Sequence, residues 1–83
     1  MTKAITLIDC LKKVQIVLNL TPTSTMILTL PTFKRIMMLY PEEGPVIASE
    51  RSIREKYRTL KEVGILNNDG RMNMDLFLKW ASA

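Results

Sequence analysis

Apolar residues recur every three or four positions in three segments of the chain. They are Leu7, Leu11, Val14 and Leu18 in residues 3–19, Phe33, Ile36, Met37 and Tyr40 in residues 31–40, and Ile53, Tyr57 and Leu60 in residues 49–63. This spacing places each set on one face of a helix. The pattern therefore predicts three amphipathic helices, the first with Lys12 and Lys13 on its polar side.

Capping and breaking residues set the ends of these helices. Ser49 can cap the third helix through its hydroxyl, and Gly64 can adopt the left-handed conformation that ends many helices. Pro22 ends the first helix because proline cannot continue it, and Pro31 suits a helix start.

A short final helix is predicted over residues 75–83, with Asn73 or Asp75 as its cap. Leu76, Phe77 and Trp80 share one side of it. The single tryptophan can either close the core or pack against a second subunit.

Two further segments have extended character. Residues 25–30 are partly β-branched and can form a short strand or a helical turn. Ile65 and Leu66 precede the sequence Asn67-Asn68-Asp69-Gly70, and a second short run follows from Arg71. An Asp-Gly pair between two extended runs predicts a β-hairpin.

A helix, a glycine, two apolar residues, a tight turn and an arginine follow one another over residues 49–74. This order resembles the second half of a winged helix-turn-helix domain. The resemblance implies one domain over residues 1–83, mainly α with a small β-hairpin, in the order α-(β)-α-α-β-β-α. Residues 41–48 form a longer linker than that motif usually has, and residues 46–48 can pack there as an extended piece.

The same resemblance implies a small protein that binds double-stranded DNA sequence-specifically, with residues 49–63 in the major groove and the 67–71 turn as the wing. A transcriptional regulator, or a replication or partition factor of a phage or plasmid, fits this description, and we expect a homodimer. The arginines of the third helix lie on an arc away from its apolar stripe. The implied DNA contacts are Ser49, Arg51, Ser52, Arg54, Arg58 and Arg71.

Two other interpretations of the basic helix stay open. Its arginines can form ion pairs on a solvated face, with Glu50 next to Arg54 and Glu55 next to Arg58. Alternatively, a winged-helix module can use the mixed-charge helix to bind an acidic protein surface. A weaker third possibility is a membrane-surface protein led by residues 3–19.

Composition narrows the class of protein. The chain has 83 residues, 47% of them hydrophobic, and a formal net charge of +4, which favours a polyanionic partner. It has no histidine and only one cysteine, Cys10, so imidazole chemistry and cysteine zinc clusters are excluded. We therefore expect a cytoplasmic protein that is not an enzyme, with no cofactor, metal, small-molecule ligand or membrane contact.

Overall fold

Four α-helices make up the computed structural model, which describes residues 6–43, 46 and 49–82. They are α1 (Leu7–Leu18), α2 (Leu30–Met38), α3 (Glu50–Glu62) and α4 (Met74–Ala81), with one 3₁₀ turn at Pro41–Glu43 after α2. The four predicted helical segments are confirmed. Residues 3–5 of the first predicted helix, residues 47–48 of the predicted extended piece and Ala83 lie outside the described residues.

Each α-helix begins at a side-chain cap. Thr6 and Asp9 form a reciprocal capping box at α1, and Thr29 accepts a hydrogen bond from the Thr32 amide at α2. Ser49 caps α3, as the sequence predicts, and of the two candidates for α4 the cap is Asn73. These caps satisfy amide groups that have no partner within the helix, so they fix where each helix starts.

The helices enclose one core. α1 packs against α2 and α4, and α2 packs against α3. Each helix contributes at least one apolar side chain with no exposed surface: Leu11, Phe33, Ile53 and Phe77. Trp80 is partly buried and packs against this core.

The two lysines of α1 differ in exposure. Lys12 is exposed, but Lys13 is fully buried, although the sequence places both on the polar side of the helix. A fully buried lysine is rare because its charged group must be taken out of water. The buried face of α1 is therefore wider than its apolar residues alone indicate, because it also includes Lys13.

The predicted β-hairpin is wrong, and with it the winged helix-turn-helix fold. Among the described residues there is no strand or sheet, only the isolated antiparallel bridges Leu66↔Met72 and Ile27↔Arg71. The turn itself forms, since the Gly70 amide donates to the Asn67 carbonyl at 3.0 Å. Asn73, the residue after Met72, already caps α4, so the second arm has no length left for a ladder.

The strand proposed for residues 25–30 is also reduced to a single bridge, at Ile27. The residues before Ile27 form a turn, and those after it start a helix. The Ser24 amide donates to the Thr21 carbonyl at 2.9 Å in a turn, and Thr29 already caps α2. The extended stretch is therefore too short to pair as a strand.

Candidate nucleic-acid interface

Helix α3 has one buried face, and its exposed residues are four basic and three acidic side chains. Ile53, Tyr57 and Leu60 are the buried residues, and they hold the helix against the core. Four exposed bases lie on the other side, and we call them the α3 basic face: Arg51, Arg54, Arg58 and Lys61. Because the apolar stripe packs in the core, the four basic side chains face the solvent.

Two glutamates neutralise part of this face. Glu50 accepts from Lys34 of α2 at 2.9 Å and from Arg54 at 3.3 Å. Glu55 pairs with Arg51 at 3.4 Å, and not with Arg58 as the sequence interpretation had it. The side chains of these pairs are 39–90% exposed, so water screens each ion pair and its contribution to stability is small.

The protonation of Glu50 reflects these partners. The hydrogen bond from Lys34, then the charge of Lys34, then the charge of Arg54 hold the pKa of Glu50 below its ordinary value. At neutral pH the carboxylate is therefore ionised and draws Lys34 and Arg54 together across α2 and α3.

Two shallow depressions adjoin the basic face. The first runs along α3 and is lined by Glu50, Arg51, Arg54, Glu55 and Arg58. The second has a volume of about 450 Å³ and opens between α3, the start of α2 and the 67–70 turn. We call the second the α2–α3 depression; it is lined by Thr29, Leu30, Arg54, Tyr57, Arg58, Lys61, Asn68 and Asp69.

Tyr57 forms part of the wall of the α2–α3 depression. Its hydroxyl donates to the Leu28 carbonyl at 2.6 Å, and its ring lies 5.8 Å from that of Phe33. Burial raises the pKa of the Tyr57 phenol, so the hydroxyl keeps its proton and remains a donor. The Lys61 ammonium lies 5.2 Å from the centre of the same ring, which is within range of a cation–π contact.

The structure brings only part of the predicted site together. Arg51, Arg54 and Arg58 line one depression. Ser49 uses its hydroxyl to accept from the Ser52 amide at 3.4 Å, and Ser52 is itself half-buried. Arg71 is exposed but lines a separate depression with Thr25, Met26 and Ile27.

Two lysines were missed by the sequence interpretation. Lys61 was detectable, because it follows Arg58 by three positions and Tyr57 by four and therefore lies between the basic face and the apolar stripe. Lys34 was not, because its link to Glu50 joins residues sixteen positions apart and depends on how α2 packs against α3.

Other chemistry is sparse in the part of the chain that the structure describes. No group of acidic or cysteine side chains there is arranged to hold a metal ion. Burial raises the pKa of the Cys10 thiol to about 11 despite the nearby charge of Lys56, so its thiolate is scarce at neutral pH. None of the described helices has the length and apolar character needed to cross a membrane.

Comparison of the chain with protein families, with curated proteins and with solved structures finds no match. The function is therefore inferred from the geometry and charge of the α3 basic face.

Proposed function

We propose that this protein binds double-stranded DNA sequence-specifically through the α3 basic face. The observation that carries the proposal is the exposure of four cations on one side of a helix whose other side is anchored in the core. A helix of 13 residues is about 20 Å long, and the major groove of B-DNA, about 12 Å wide, admits a helix.

Arginine and lysine suit this partner for different reasons. An arginine guanidinium can bind a phosphate or the O6 and N7 atoms of guanine through two parallel hydrogen bonds. A lysine ammonium is a point charge that suits phosphate contact. Arg54 and Arg58 lie at the centre of the face and line both depressions, so they are the strongest candidates for contact with DNA.

The experiment is selection from random duplex DNA, followed by binding measurements across a salt series. Arg54→Ala/Arg58→Ala should fold normally, because both side chains lie outside the core, and should lose most of the affinity. Lys12→Ala/Lys79→Ala is the matched control, since it removes two exposed charges from α1 and α4. Equal losses in the two variants would indicate nonspecific attraction, and full affinity in the first would place the site elsewhere.

A homodimer is part of the proposal. One helix reads only a few base pairs, whereas two copies related by a two-fold axis read two half-sites about one helical turn apart. Sedimentation of the free protein and the spacing of repeats within the selected sequences test this directly. A single unrepeated short site bound by a monomer would contradict it.

The proposal fits regulators of transcription as well as replication or partition factors of a phage or plasmid, because each needs a site-specific contact with duplex DNA. Mapping the selected sequence to a promoter, an origin or a partition locus would distinguish these roles.

A second candidate is contact with an acidic protein surface. The ion pairs of Glu50 and Glu55 favour it, because alternating charges on a helix weaken attraction to a uniform polyanion and suit mixed-charge recognition. Absence of duplex binding even at low salt would favour this candidate over the first.

A further inference from the structure

The cations of the α3 basic face are not equally available. In the first half of the helix, Arg51 pairs with Glu55, and Arg54 shares Glu50 with Lys34. Arg58 and Lys61, in the second half, form no ion pair within 4.0 Å with any described residue. The cations without an ion-pair partner therefore lie at the end of α3 that borders the α2–α3 depression, where Glu62 is also exposed.

Charge in the depression favours an anion. Arg54, Arg58 and Lys61 enter it from α3, and among the described residues that line it Asp69 is the single acidic one. The first turn of α2 adds the partial positive charge of a helix start, which contributes to the field. Asn68 supplies a neutral amide that can donate a hydrogen bond.

One buried residue joins the three walls of the depression. Leu28 is fully buried, and its carbonyl accepts from the Tyr57 hydroxyl of α3 at 2.6 Å. Its amide donates to the Gly70 carbonyl of the 67–70 turn at 2.8 Å. Because α2 begins two residues later at Leu30, the helix start, α3 and the turn are held at fixed relative positions.

Lys61 is supported by the same framework. Lys61 lies over the ring of Tyr57, whose hydroxyl is fixed on Leu28. Arg58 is one helical turn from Arg54, so the two guanidinium groups border the opening together. A site formed in advance loses less conformational entropy when it binds its ligand.

We infer that the α2–α3 depression binds one phosphate group of the DNA backbone, with Arg58 and Lys61 as its principal ligands. This inference rests on the proposed function, and it deepens it by assigning the second half of α3 to the backbone. An anchored phosphate there fixes the register of α3 along the duplex, which leaves Arg51, the arginine of the face that does not line the depression, toward the base edges.

The test neutralises single phosphates in a duplex already selected by the protein. Methylphosphonate is introduced at one backbone position at a time, and affinity is measured for the unaltered protein and for Arg58→Gln/Lys61→Gln. We expect one position in each half-site at which the unaltered protein loses about tenfold in affinity, as for a charge-assisted hydrogen bond. The variant should bind this duplex and the unmodified one equally.

Salt dependence gives a second measure. Loss of one phosphate contact per protomer should make the slope of log K against log salt less negative by about 0.9 for a monomer and about 1.8 for the homodimer. The charge-conserving variant Arg58→Lys/Lys61→Arg should keep the slope, and Lys12→Gln/Lys79→Gln should keep the sensitivity to the methylphosphonate.

The outcomes separate the two proposals. If the unaltered protein binds no duplex, the proposed function fails and the phosphate site with it. If it binds, and Arg58→Gln/Lys61→Gln still shows the full methylphosphonate effect, the phosphate lies elsewhere and only the present inference is overturned.

Discussion

At the scale of single residues, Tyr57 connects the core to the proposed binding surface through its ring and its hydroxyl. Its ring packs on Phe33 inside the core and supports Lys61 at the rim. Its hydroxyl provides the hydrogen bond that joins α3 to the residue just before α2. The same side chain therefore contributes to both stability and the shape of the α2–α3 depression.

Tyr57→Phe should remove the hydrogen bond and leave the Leu28 carbonyl without its hydroxyl donor. We expect a loss of about 1–2 kcal/mol in the free energy of unfolding, measured with urea. The matched control is Tyr40→Phe, since Tyr40 is 46% exposed and its change should be near zero. Equal effects of the two substitutions would contradict the structural role of the Tyr57 hydroxyl.

Gly70 is a second residue with a fixed requirement. Its φ is +85°, and a Cβ atom there would lie 2.9 Å from the Leu28 carbonyl oxygen. A side chain would thus be strained by the backbone and would push against the atom that Tyr57 binds. The close approach of the turn to Leu28 requires glycine at this position.

At the scale of elements, the charge pattern of α3 has two opposing consequences. Glu50 in the first turn interacts favourably with the helix dipole and joins α3 to α2 through Lys34. It also places a negative charge beside Arg54 on the surface proposed to meet DNA. Stability and DNA affinity therefore respond to Glu50 in opposite directions.

Glu50→Gln should raise affinity for duplex DNA by about two- to fivefold at low salt, an effect that screening reduces as salt increases. The control is Asp75→Asn, which also removes one exposed carboxylate, but from α4 and not from α3. A gain of the same size in both variants would show that net charge alone, rather than release of Arg54, sets the affinity.

The same carboxylate predicts a pH dependence of stability. Its pKa is lower in the folded protein, so the stabilisation is fully present above the ordinary pKa of 4.5 and is lost as pH falls through the folded value. Glu50→Gln should therefore unfold less steeply with acid than the unaltered protein. Identical acid profiles would contradict the Lys34 link.

The four helices could be predicted from sequence because each has a local signal. A periodic apolar stripe and a capping residue such as Ser49 or Asn73 lie within a few positions of each other. The β-hairpin prediction was wrong because the Asp69-Gly70 pair indicates a turn but not how many residues on each side of it are extended. That number depends on Asn73, which caps α4 directly after Met72.

Only part of the candidate site could be predicted from the sequence. The spacing of Arg51, Arg54 and Arg58 indicates a shared face, which the structure contains. Two other features depend on contacts between residues far apart in sequence. One is the ion pair of Lys34 with Glu50, and the other is the pair of hydrogen bonds by which Leu28 joins the walls of the depression. Periodicity within one helix holds no information on such contacts.

At the scale of the whole molecule, the described helices share one small core. Phe77 has no exposed surface, and Trp80 on the same helix packs against the common cluster. The free energy of unfolding of a domain of this size is about 4–12 kcal/mol in total. The loss of a few kcal/mol in the core is therefore enough to unfold all helices together.

Unfolding should consequently be a single transition. The fluorescence of Trp80 reports on α4, and far-UV circular dichroism reports on all helices, so the two midpoints in denaturant should coincide. Phe77→Ala should lower both midpoints together, at a cost of about 3–5 kcal/mol. Leu39→Ala is the control, because Leu39 is 49% exposed and should shift them little. If Phe77→Ala moved the fluorescence transition alone, α4 would be a separable unit, and the α2–α3 depression could remain folded without it.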